Sequence, residues 1–102
     1  MATLYYAHPD FLLHDTGDDH PECIDRLNVI DQALEAPEFS NLIRMLAPLG
    51  TEQQVRLIHS QFHLETVIDA VPEQGRTYLD ADTVLSTYSK LAAFQAVGAV
   101  WT

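Results

Sequence analysis

The run HDTGDDHPECIDRL, from His14 to Leu27, decides how this chain is read. Its first half is polar and turn-rich, with Gly17 among Asp15, Asp18 and Asp19, and then His20. Its second half opens a helix. Pro21 suits a first helical turn, where a missing N–H costs no hydrogen bond. Glu22 and Asp25 put negative charge at the positive end of the helix dipole. Ile24, Leu27, Ile30 and Leu34 follow at spacings of three, three and four, which predicts an amphipathic helix that Pro37 ends.

Upstream, Thr3–Ala7 (TLYYA) is aromatic and β-prone and reads as a strand. Between strand and helix lies a loop of 13 residues, His8 to His20, that also holds Asp10 and His14. A loop this long and polar in a small domain is functional or disordered. Downstream, a helical or turn segment around Ser40–Arg44 leads to a second strand at Met45–Leu49. Thr51-Glu-Gln-Gln54 has the form of a capping box and starts a short helix with Val55 and Ile58. A further helix is predicted over Gln61–Val71, closed by Pro72 and Gly75. Tyr78–Leu85 reads as irregular, and a last helix covers Thr87–Trp101.

The plan is strand, loop, helix, strand, three helices. That is an α/β class with a small parallel sheet and about four to five helices. Two strands make a poor sheet by themselves. The last helix is apolar on several sides and slim, with Ala92, Ala93, Ala96, Gly98 and Ala99. The expectation is therefore one segment, residues 1–102, forming the first part of a larger α/β domain.

Composition bounds the function. Hydrophobic residues make up 47% of the 102 residues and charged residues 20%, a globular balance. Fifteen Asp and Glu against five Lys and Arg give a formal charge of −10. This excludes a nucleic-acid binder, which must neutralise phosphates, and an anionic membrane surface. A charged partner is expected to be a cationic small molecule or a basic peptide. The lone cysteine, Cys23, permits no intrachain disulfide and is expected as a small buried hydrophobe near the start of its helix. The start MATLYYAHPDF lacks the basic and apolar regions of a signal peptide, so a cytoplasmic protein is expected.

Several stretches together resemble the histone deacetylase superfamily, in particular its acetoin-utilisation and acetylpolyamine amidohydrolase-like members. His20, Pro21, Glu22 and Arg26 match a His-Pro-Glu-x-Pro-x-Arg pattern, with Ile24 in place of the second proline. VRLIHSQFHLETVIDAVPEQG (Val55–Gly75) is similar to the family's next helical stretch, with its histidine–small residue step at His59-Ser60. YLDADTVLS (Tyr78–Ser86) resembles the Asp-x-Asp-Thr loop, and LAAFQAVGAV (Leu91–Val100) the helix after it; Thr87 and Tyr88 stand where relatives often have Pro-Gly. The resemblance runs over nearly the whole chain in consistent order. It implies a partial three-layer arginase/deacetylase-like unit.

The resemblance also implies a chemistry, the zinc-dependent hydrolysis of acetyl amides such as acetyl-lysine or acetylpolyamines. A paired-histidine motif, an Asp/His/Asp zinc site and a catalytic tyrosine would follow further along; no adjacent His-His pair occurs here. The expectation is a truncated deacetylase-like protein, inactive alone, with no catalytic residue, no metal ligand and no cofactor of its own; zinc belongs to the full-length family. The alternatives are an acidic module that binds cationic ligands, or one part of a split deacetylase. Apolar surfaces left by the missing part would drive a homodimer or higher oligomer.

Five residues carry candidate roles by resemblance. Asp82 would hold the substrate backbone at the tunnel rim, with His20 and Pro21 beside the pocket; Arg26 and Tyr5 would line an internal channel. Each has a structural alternative. Asp80 or Asp82 can stabilise its turn, His20 can make a local hydrogen bond, Arg26 can pair with Asp25, Asp31 or a loop carboxylate, and Tyr5 can pack in the core. His8, His14 and His20 lie six apart among aspartates, but equal spacing in a loop defines no metal geometry.

Overall fold

The aromatic run after Thr3 forms strand β1, Leu4–Ala7. It pairs in parallel with β2, Ile43–Leu46, in the register Leu4↔Ile43 to Ala7↔Leu46. A computed structural model describes residues 3–17 and 19–101; Asp18 of the first loop lies outside the described residues. A parallel pair needs a crossover, which helix α1 (Ile24–Ala33) provides. The second strand begins two residues before the predicted Met45–Leu49 and ends at Leu46, ahead of Pro48. A 3-10 turn at Pro37–Phe39 precedes it, where a helical or turn segment was expected around Ser40–Arg44.

The first loop is more ordered than its polarity suggests. Pro9–Leu13 is a 3-10 helix whose N-cap is His8, the ring accepting the Asp10 N–H at 3.0 Å. Helix α1 starts later than Pro21 indicates. Thr16 donates its hydroxyl proton to the Glu22 carbonyl and Glu22 N–H goes to His20, which keeps Glu22 in the turn before the helix. Cys23 is consequently the half-buried N-cap and not a residue inside the first turn. The apolar stripe of α1 is present, but none of its residues is buried.

Beyond β2, Thr51 caps α2 (Glu52–Val55) in the reciprocal capping box that its spacing predicts. Ser60 caps α3 (Gln61–Ala70) through the His63 N–H. Tyr78–Leu85 is not irregular. It lies in an antiparallel hairpin of β3 (Arg76–Asp80) and β4 (Thr83–Ser86), with a register shift between Tyr78 and Asp80. Helix α4, Ser89–Trp101, starts two residues after the predicted Thr87. It buries Ser89, Ala92, Gln95 and Gly98, a stripe at spacing three.

The architecture is thus mixed α/β with a small parallel sheet and four α-helices among the described residues. Its core is thin. The buried apolar residues are Ala47, Leu64, Val84, Leu85 and Ala92, and among the described residues no large side chain is fully enclosed. Parallel sheets normally have both faces covered, yet all four residues of β2 are exposed. No helix among the described residues is long and apolar enough to cross a membrane.

Candidate functional site

The first loop and the β3–β4 hairpin meet, and α4 begins where they meet. At the far side, Asp15 accepts the Gly17 N–H at 3.0 Å and forms an ion pair with Arg76 at 3.0 Å. The backbone donor of Gly17, and then the Arg76 guanidinium, hold the Asp15 carboxyl below the ordinary aspartate value. Gly17 has φ +102°, the left-handed region that a side chain resists, and this lets the loop fold back on Asp15. The Asp15 N–H donates to Ser86 Oγ at 2.9 Å. Ser89 Oγ accepts the Ser86 N–H at 2.8 Å and lies 2.6 Å from His14 Nδ1, within hydrogen-bond distance. These bonds fix the loop against the end of β4 and the start of α4.

At the hairpin tip, His20 Nε2 lies 2.8 Å from the Asp82 carbonyl oxygen. Asp80 Oδ1 accepts the Asp82 N–H at 2.9 Å. That donor, followed by the Thr83 hydroxyl, holds the Asp80 carboxyl below its ordinary value. Sequence reasoning left open which aspartate stabilises the turn; the hydrogen bonds give that task to Asp80. The Asp82 side chain is exposed and takes no hydrogen bond or ion pair from the described residues. The structure therefore brings Asp82 and His20 together, with exposed Pro21 next to them.

Arg26 and Tyr5 lie apart from this corner and from each other. Arg26 is exposed, 3.9 Å from Glu22 four residues earlier, and lines a cleft between α1, α3 and α4. Its partner is thus Glu22 and not Asp25 or Asp31. Tyr5 faces a different hollow with Leu12, Asp31 and Arg44. Its hydroxyl donates to Asp31, which joins β1 to α1, and the Arg44 guanidinium lies 5.6 Å from its ring centroid. The hydrogen bond to Asp31 is the main reason that the Tyr5 pKa is raised.

The three loop histidines go to three different partners. His8 meets the buried Gln95, whose amide nitrogen is 3.1 Å from its ring and 3.0 Å from Asp10. His14 meets Ser89, and His20 meets Asp82. Among the described residues no group of three or more His, Cys, Asp or Glu is placed to hold a metal ion. The donors among the described residues do not fit a zinc site. Sequence reasoning missed Ser86, Ser89 and Arg76. Serine and arginine are common surface residues, and nothing in their spacing announces contacts with a loop some 60 to 75 positions earlier.

No family model matches the chain. An uncharacterized protein of Synechocystis sp. is 35% identical over 103 residues, covering 97% of this chain and 33% of that protein. The chain thus spans about a third of the length of this curated relative. The solved structure of the HDA15 HD domain, a histone deacetylase, superposes with a TM-score of 0.83 at 25% identity. That alignment covers 96% of this chain and 29% of the solved chain. The thin core, the uncovered parallel sheet and this superposition agree: the chain carries a partial histone-deacetylase-like fold.

Proposed function

We propose that this chain forms the substrate-facing corner of a deacetylase-like domain and is inactive alone. The whole domain would hydrolyse acetyl amides with zinc, and this segment would grip the substrate. The observation that carries this reading is the division of labour at the hairpin tip. Asp80 takes the turn hydrogen bond and His20 meets the Asp82 carbonyl, which holds the Asp82 backbone and leaves its carboxylate open to solvent. A carboxylate so placed can accept two N–H groups of an extended substrate backbone. Pro21 would stiffen the neighbouring wall.

Calorimetry with an acetyl-lysine peptide and with acetylspermidine tests the reading. Binding that falls sharply in Asp82→Asn, with the fold retained, is expected; binding indifferent to that change would overturn it. Acetate release by the purified chain supplied with zinc is expected to be absent.

A second reading rests on charge. Asp80 and Asp82 at the hairpin tip, and Asp15 and Asp19 in the loop that meets the hairpin, belong to a chain of net −10, which suits an acidic module that captures polyamines or basic peptides without chemistry. Its binding would be steeply salt-sensitive and would survive Asp82→Asn. On either reading the lone cysteine fits a cytoplasmic setting, and the exposed apolar side chains would favour self-association or a complementary polypeptide.

A further inference from the structure

We infer that the cleft between α1, α3 and α4 binds an amphiphile with an anionic head, of the class of medium-chain carboxylates. This stands on the cleft itself and not on the reading above. The cleft encloses about 540 Å3, within the range of small-molecule sites. Its walls are apolar, formed among others by Phe11, Leu27, Leu64, Val67, Phe94 and Val97.

The charge at its mouth runs against the rest of the chain. Carboxylates outnumber Lys and Arg by 15 to 5 overall. Around the cleft the ratio inverts, with Arg26 and Lys90 against Glu22 alone. Glu22 lies 3.9 Å from Arg26. Lys90 has no ion pair among the described residues, and its Nζ lies 5.8 Å from the centroid of Phe94, a wall residue. His59 and His63 stack at the same mouth with ring centroids 4.8 Å apart. An alkyl chain in the cleft would be removed from water, and a carboxylate head would meet Lys90 and Arg26 through charge-assisted hydrogen bonds. A cationic head would meet those same charges unfavourably, although the chain as a whole attracts cations.

Calorimetric titration with decanoate, decanol and decyltrimethylammonium, each below its micelle concentration, separates these effects. The expected order of affinity is decanoate, decanol, then the cationic amphiphile, with added salt weakening decanoate and leaving the neutral decanol unchanged. Replacing Arg26 and Lys90 by Gln should weaken decanoate about tenfold, to the level of decanol. Both side chains are exposed, so circular dichroism should stay unchanged. Ala93→Phe, which fills the cleft from an exposed helical position, should abolish both decanoate and decanol binding. Tighter binding of the cationic amphiphile, or salt-independent decanoate binding in the unaltered chain, overturns the proposal. So does decanoate affinity that survives Ala93→Phe.

Discussion

His20 Nε2 lies 2.8 Å from the carbonyl oxygen of Asp82, a residue 62 positions further along the chain. On the other side of the ring, Nδ1 accepts the Glu22 N–H at 3.1 Å. A nitrogen that accepts carries no proton, so the ring proton sits on Nε2 and is donated to Asp82. One side chain thus closes its own turn and ties the first loop to the hairpin tip. His20→Ala should cost about 1 kcal/mol in urea unfolding and speed hydrogen exchange at Asp82 and Thr83. His20→Gln, which keeps a donor of similar reach, should recover part of that protection. Unchanged exchange in the alanine variant would mean the contact holds nothing in place.

The two hairpin aspartates should separate in a stability measurement. Asp80→Asn weakens the acceptor for the Asp82 N–H and should lower the urea midpoint. Asp82→Asn changes an exposed side chain without a partner among the described residues, and should stay within about 0.5 kcal/mol of the parent. Equal losses from both would contradict the division of labour at the tip.

Acid and alkali should loosen different places. Asp15 and Asp80 have folded-state pKa values below the ordinary aspartate value of 3.8. Each therefore stabilises the fold above that value and loses its contribution as pH falls through the lowered one. Both positions are solvent-accessible, so the effect is local and screened by salt. Asp15→Asn should flatten the acid limb of a stability–pH curve. Tyr5 is the reverse case. Its pKa is raised from 10.0 chiefly by the bond to Asp31, so its contribution is complete below that value and lost as pH rises through the raised one. Tyr5→Phe should lower stability at neutral pH and flatten the alkaline limb of the curve.

Local signals made parts of this fold legible. The Thr51–Gln54 box and the Ile24–Leu34 periodicity act within a few residues, and each predicted its element. The hairpin was not legible because its strands are only five and four residues long, too short to show alternation, and two carboxylates around Ala81 suggest a loop. The start of α1 was misread because Pro21 is as acceptable in a turn as in a first helical turn. The Thr16–Glu22 and His20–Glu22 bonds that settle the matter lie in the turn upstream of the helix. At the candidate site, His20 and Asp82 were nameable separately by resemblance. That the ring meets the backbone of Asp82, and not its carboxylate, is a tertiary fact.

Gly98 should be the least replaceable residue of α4. A Cβ there would overlap the Pro48 carbonyl oxygen and sit 2.8 Å from Gly50 N, both backbone atoms that cannot swing aside. Gly50 N–H donates to the Phe94 carbonyl at 2.7 Å, so helix and loop are joined where they are closest. Alanine would gain about 1 kcal/mol in helix propensity, but overpacking costs about 1–3 kcal/mol, and here the overlap is with backbone, which puts the cost at the upper end. Gly98→Ala should therefore destabilise the chain in denaturant unfolding. A neutral or stabilising result would show that the 48–50 segment yields.

Self-association should rise with salt. Ile58 is 86% exposed, Phe62 80% and Val100 89%, apolar side chains that gain by leaving water. A net charge of −10 on each copy opposes their contact. At about 0.01 M salt the Debye length is about 30 Å and the repulsion reaches across the molecule; at about 1 M it shrinks to about 3 Å. Apolar attraction does not weaken with that screening. Sedimentation velocity should therefore show a species that is mainly monomeric at low salt and associates as salt is raised, with Phe62→Ser shifting the transition to higher salt. Association that dissolves on adding salt would instead identify ion pairs between copies as the cause.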